Sequence, residues 1–385
     1  MTNEQDIFEE IRPFHDDEVN NAIRNLLKDP EFEVFVRYLF RGFDRSEIYD
    51  RIKDISSIAE FQEKFVAAVM EVIIKKSVDG LTTHGIEFID KQKAHVFISN
   101  HRDIVLDSAL INYFLYHNGF QTSEVAIGGN LLISPMISNI VRLNKSFIVK
   151  RNIPPRELYK YSKLLSAYIS HVLFDKNVSI WIAQREGRAK DGNDKTQSSL
   201  LKMLNMNDED GIKENYIKLN ITPVAVSYEY DPCDMLKAIE LYSVANNIPY
   251  VKTHQADFQS MITGIQGYKG KIDVSFCKPF TGEDYNHISG VHNNDWLKSL
   301  ATYIDDRIYS AYKLWDTNFI AYDMLNETPV FSDRYPEESK TKFIAYLNEK
   351  TDKLDEIYPK DEIKRFILDM YAYPIRNKLA SQLSV

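Results

Sequence analysis

The stretch VFISNHRDIVLDSALINYFL, residues 96–115, changes character twice. Val96–Ser99 is a short apolar run of the kind that fills a strand buried on both faces. Asn100–Asp103 is polar, and the segment from about 103 to 117 then carries its apolar residues at helical spacing. Strand, turn and helix in that order make the repeating unit of an α/β fold, which places reactive groups at the carboxyl ends of its strands. His101 occupies such an end.

The same alternation runs outward from there. VFIS at 96, EVAI at 124, SFIV at 146, VSIWIA at 178, ITPVAVSY at 221 and IDVSF at 272 read as buried strands, with helical stretches at 103–117, 156–174 and 235–246 between several of them. Residues 16–75 read as helices, with Phe32, Phe35, Val36, Leu39 and Phe40 recurring at three and four. After residue 291 the helical pattern returns, with Trp296, Leu300, Tyr303, Ile304 and Ile308 on one face. The expected fold is therefore α/β: a mixed, partly parallel sheet at 76–290, flanked by helices, with helical regions at 1–75 and 291–385.

Composition narrows the function. With 385 residues, 44% apolar and 27% charged, the chain suits an ordinary globular core. A net charge of −9 argues against binding nucleic acid through overall charge, so any anion site must be local. Cys233 and Cys277 fall in no metal-ligand or CxxC pattern, which favours a reducing, cytoplasmic setting without a disulfide framework or a zinc site. The acidic N-terminal stretch MTNEQDIFEEIRPF lacks the features of a signal peptide, and no window is apolar enough to span a bilayer. Peripheral contact with a membrane surface remains open, since 21 Phe and 23 Tyr supply aromatic surface.

His101, Arg102 and Asp103 spell the start of a kinase catalytic loop, but no glycine-rich loop, VAIK lysine or DFG accompanies them in order. A second chemistry fits the position. An imidazole can take a proton from a hydroxyl near neutral pH, and a carboxylate on its other nitrogen fixes the tautomer. Asp107 and Asp103 are both near enough in sequence. The plainer reading is that Asp103 caps the helix and His101 bonds within a turn.

Three further segments weigh between these readings. The run Val125–Arg156 has no Asp or Glu but carries Arg142, Lys145, Lys150, Arg151 and Arg156, a local cationic patch suited to phosphate or anionic headgroups. WIAQREGRAKDGNDKT (181–196) holds Arg185, Glu186, Gly187 and Arg188 just past an apolar strand, where Gly187 also suits a tight turn. ITPVAVSYEYDP (221–232) contains Tyr228 and Glu229, which read as structural.

NHRDIVLD, NKSFIVKR, AQREGRAK and ITPVAVSYE, in that order, resemble the four blocks of the glycerophosphate acyltransferase superfamily, the glycerol-3-phosphate and 1-acyl-glycerol-3-phosphate acyltransferases. The resemblance covers about residues 80–280. There are departures: five residues instead of four separate His101 from Asp107, Asn144 stands where the second block has Gly, and Arg188 follows Gly187 directly. Asp107 is preferred to Asp103 as the family aspartate because the helix continues from Leu106 as the family helix does.

The resemblance implies an O-acyltransferase of phospholipid synthesis. His101 would act as general base with Asp107, and Asn100, Arg102, Lys150, Arg151, Arg185, Glu186, Gly187 and Arg188 would bind substrate. The acceptor would be a glycerol phosphate or lysophospholipid. The acyl group would come from acyl-CoA or acyl carrier protein as co-substrate, with no metal or other cofactor and no nucleic acid partner. The enzyme would lie peripherally on the inner face of the cell membrane. A non-glycerol lipid acceptor, or a lipid- or phosphate-binding scaffold without catalysis, are the alternatives left open.

Overall fold

The computed structural model describes residues 7–39, 45–207, 211–249, 253–288, 290, 292–326 and 329–382; Phe40 lies outside them. Seven strands form one sheet: β1 (Val78–His84), β2 (Val96–Ser99), β3 (Glu124–Gly128), β4 (Ser146–Val149), β5 (Ile180–Ala183), β6 (Ile221–Tyr228) and β7 (Gly270–Phe276). Their order across the sheet is β1-β7-β6-β2-β5-β3-β4. The five strands from β6 to β4 run parallel, whereas β7 pairs antiparallel with β6 and parallel with β1. The fold is thus α/β with a mixed, mostly parallel sheet between helical layers.

β2 shows why its sequence reads as one apolar run. Phe97 joins a core cluster on one face of the sheet, with Trp181, Val224 and the helix Leu106–His117, while Val96 and Ile98 join a second cluster on the other, with Ile180, Ile182 and Ile221. Both faces are covered, so neither alternating position can be polar. The helices between residues 16 and 77 pack into the first cluster through Ile23, Phe61, Met70 and Ile73, and so share the core of the sheet. Helix Asn293–Ala311, whose pattern groups it with the C-terminal helices, packs on the second face through Trp296, Leu300, Ile304 and Ile308. The later helices, Asp316–Leu325, Glu337–Thr351 and Lys360–Gln382, gather around a third cluster with Ala238 and Tyr242.

β1 is absent from the sequence reading for a physical reason. VDGLTTH is an edge strand with no fully buried position, so it carries Asp, Gly and Thr instead of an apolar run. Helices Ser198–Leu204, Ile212–Leu219 and His254–Gln266 are likewise additional to it. No helix among the described residues is long and apolar enough to cross a membrane.

Register places the site. Ser99 is level with Ala183 on one side and Val224 on the other, so the turns after β2, β5 and β6 open at one edge of the sheet. Behind that edge the loop after β5 is tied to helix Asn293–Ala311, where Asp305 accepts from Thr196 N at 2.8 Å and from its hydroxyl at 2.5 Å. Burial pushes the Asp305 carboxyl up to about 7. A carboxyl raised on folding adds stability while protonated, fully below about pH 4, and loses that contribution as pH climbs through about 7. The difference in urea-unfolding free energy between wild type and Asp305→Asn should therefore fall across that window and be flat outside it; a difference independent of pH would refute the assignment.

Candidate active site

The turn after β2 sends successive side chains in different directions. Asn100 is fully buried and bridges to β6, its Nδ2 donating to the Val226 carbonyl at 2.9 Å and its Oδ1 accepting from Val226 N at 2.8 Å. Arg102 turns the opposite way, its Nη2 donating to Asp194 Oδ2 at 2.6 Å and to the Gly192 carbonyl at 3.0 Å. Asp194 is also held by the Tyr312 hydroxyl at 2.7 Å, and the Tyr309 hydroxyl bonds its carbonyl. Lys237 donates to the Arg102 carbonyl at 2.7 Å and pairs with Asp231. The sequence expectation that Asn100 and Arg102 bind substrate is corrected here, because both polar atoms of the Asn100 amide bond to β6 and the Arg102 guanidinium is drawn into a buried ion pair with Asp194.

His101 remains at the sheet edge, its ring edge-on to Trp181 with centroids 5.8 Å apart. Its Nδ1 lies 2.9 Å from Asp107 Oδ2. That oxygen also accepts from Arg102 N at 2.7 Å and Asp103 N at 2.9 Å, and Asp107 Oδ1 accepts from the Tyr228 hydroxyl at 2.8 Å. A carboxylate gathering donors leaves His101 Nδ1 as the protonated nitrogen and Nε2 with the lone pair. No hydrogen bond from a described residue reaches Nε2, and the His101 side chain is 14% exposed.

Asp103 has a different task. Its Oδ1 accepts from Val105 N at 2.9 Å and Leu106 N at 2.8 Å, capping the helix Leu106–His117. Burial, then the charge of Asp107, pushes its carboxyl above the usual range. Helix His254–Gln266 closes over it, since a Cβ on Gly264 would stand 2.0 Å from Asp103 Oδ2.

The loop after β5 comes back to the same turn, Ala189 N donating to the His101 carbonyl at 3.1 Å. Within it, Arg185 Nε and Arg188 Nη1 are buried donors that no described residue satisfies, on either side of Gly187 at φ +70°. A buried cationic donor without an acceptor is costly, and an anion would satisfy it. Residues 80–229, which span His101, Asp107, Arg185, Arg188 and Tyr228, match the family model described as Acyltransferase. Over that span the chain is similar to acyltransferases.

A glycerol-3-phosphate acyltransferase from Pseudoalteromonas atlantica is 28% identical over 155 residues, which is 38% of this chain but only 18% of that relative's length. The crystal structure of the 1-acyl-sn-glycerophosphate (LPA) acyltransferase PlsC from Thermotoga maritima aligns with a TM-score of 0.35 at 14% identity, covering 75% of this chain and 91% of that one.

Within the same segment the cationic run after β3 is dispersed. Arg142 donates to the Arg12 and Glu10 carbonyls at 2.8 and 3.0 Å, and Lys145 to the Thr122 carbonyl at 3.3 Å, so both act as struts away from the site. Lys150 pairs with Glu10 and donates to the Tyr161 hydroxyl at 3.1 Å. Arg151 reaches the site loop, its Nη1 2.8 Å from Glu186 Oε1. Tyr228 is the residue the sequence reading passed over. Burial and then the charge of Asp107 drive its phenol well above the usual range, so it stays a donor. Its only sequence signal is a place at the end of β6.

Asp107→Asn would aim an amide N–H into a ring of four donors, whereas Asp103→Asn keeps a capping oxygen and mimics the protonated acid. Urea unfolding should show Asp107→Asn destabilised by about 1–3 kcal/mol and Asp103→Asn by a few tenths; the reverse order would show that Asp103 is the anchored carboxylate.

Proposed function

We propose that the chain moves a fatty acyl group from an acyl thioester to a hydroxyl of a glycerol phosphate or lysophospholipid. The observation that carries the reading is the anchored His101–Asp107 pair beside the two unsatisfied guanidinium donors of Arg185 and Arg188. His101 Nε2 takes the acceptor's hydroxyl proton as the oxygen attacks the thioester carbonyl. Asp107, bonded at Nδ1, stabilises the imidazolium that forms. When the tetrahedral adduct collapses, the C–S bond breaks and the imidazolium proton passes to the departing thiolate. An ester and a free thiol result, and the histidine is restored. Nothing in the step calls for a metal or another cofactor.

Arg185 and Arg188 select the acceptor, because a phosphate offers several strong acceptor oxygens to guanidinium donors already stripped of water. Gly187 turns the chain between them, and Arg151 holds Glu186 aside. The donor is acyl-CoA or acyl carrier protein. The work is done at the inner face of the cell membrane, where a lipid product stays.

His101→Ala should cut the transfer rate by about two to four orders of magnitude, with Asp107→Asn close behind and Asp103→Asn near wild type, measured with labelled acyl thioester. Retained turnover in a folded His101→Ala protein would sink the reading. Arg188→Ala and Arg185→Ala should raise KM for glycerol-3-phosphate more than they lower kcat, and leave any slow transfer to unphosphorylated glycerol unchanged. Equal losses on both acceptors would mean that these arginines do not hold phosphate.

A further inference from the structure

One face of helix Pro155–Ser170 takes no part in the proposed chemistry. Arg156, Tyr159, Lys160 and Lys163 lie on it at i, i+3, i+4 and i+7, and all four are exposed. The opposite face is anchored through the buried Tyr168 and Ile169. Leu158, in the same turn but off that face, is 53% exposed and Tyr159 is 68% exposed. No Asp or Glu occurs from Leu158 to Phe174, in a chain whose net charge is −9. The nearest carboxylates are Glu157, 3.7 Å from Arg156, and Glu10, which pairs with Lys150 and whose charge reaches Lys160.

A second feature adjoins it. Residues 125–141 contain no charged residue, and within them Leu131, Leu132 and Ile133 are partly exposed and belong to no core cluster. The turn that carries them runs along the end of β4, where a Cβ on Gly129 would lie 3.8 Å from the Lys150 Cα. The helix starts six residues beyond the end of β4, so its first turn, with Arg156 and Tyr159, begins at the same edge of the sheet as the His101 turn.

We infer that this helix face, together with Leu131–Ile133, docks the protein on an anionic lipid surface. Lysine and arginine stems lie along the interface with their charges at the headgroups, tyrosine sits at the boundary, and the leucine and isoleucine side chains enter the acyl layer. An acidic protein partner would meet the cations but gives the protruding apolar residues no layer to enter. Docked this way, the edge bearing His101 faces the membrane, so an acyl chain reaches the site without crossing water. The inference draws on the acyl-transfer reading for its purpose, but binding is measured without turnover, so either can fail alone.

The test is flotation of the full chain with vesicles of phosphatidylcholine alone and of phosphatidylcholine with phosphatidylglycerol. The protein should partition onto the anionic vesicles, less so as salt rises. Each cation contributes about fivefold, so Arg156→Gln, Lys160→Gln and Lys163→Gln combined should lower the partition coefficient about a hundredfold. Leu158→Ser with Tyr159→Ser should weaken binding too. Both variants should keep wild-type transfer to water-soluble glycerol-3-phosphate. Equal partitioning of wild type and the triple variant, no preference for anionic vesicles, or loss of acyl carrier protein binding with vesicle binding intact would each overturn the proposal.

Discussion

A carboxylate with no exposed surface can persist only where donors surround it, and Asp107 obtains four from two parts of the chain. Two are backbone amides of the turn after β2, one is the ring of His101 and one is the phenol at the end of β6. The last of these fixes the sheet as much as the site. Tyr228 reaches Asp107 because β6 runs four residues past the level of Ser99, and the two bonds from Asn100 to Val226 hold that register.

The same turn divides labour among adjacent residues. Asn100 locks the sheet, His101 faces the edge, Arg102 is drawn into the ion pair behind, and Asp103 starts the next helix. Buried ion pairs stabilise little in net terms, yet losing one partner leaves the other charge uncompensated. Arg102 and Asp194 therefore bind the His101 turn to the loop after β5, and through Tyr309 and Tyr312 to the end of helix Asn293–Ala311.

Much of this was legible. The apolar runs located six strands because burial on both faces leaves a continuous signature, and the approach of Asp107 to His101 is a local matter of one turn and the start of a helix. β1 was not legible, since an edge strand needs no apolar run. Asn100 and Arg102 were misread because adjacency to His101 says nothing about direction, and a tight turn points neighbours apart. Arg142 and Lys145 were misread because the sequence shows charge but not the carbonyls that absorb it. Tyr228 comes from 121 residues away, and no spacing rule spans such a distance.

Helix Lys360–Gln382 packs so tightly behind the site that a Cβ on Gly192 would stand 2.3 Å from the Met370 carbonyl. Gly192 belongs to the loop that takes Arg102, so the support of the His101 turn is completed by a segment made much later. β1 likewise waits for β7. Such long-separation contacts incur their loop-closure entropy before returning any energy, which slows folding. A nascent chain emerging from the ribosome would thus hold its β2 and β5 turns half-supported until the Met370 helix arrives, an interval in which chaperones and proteases would find it.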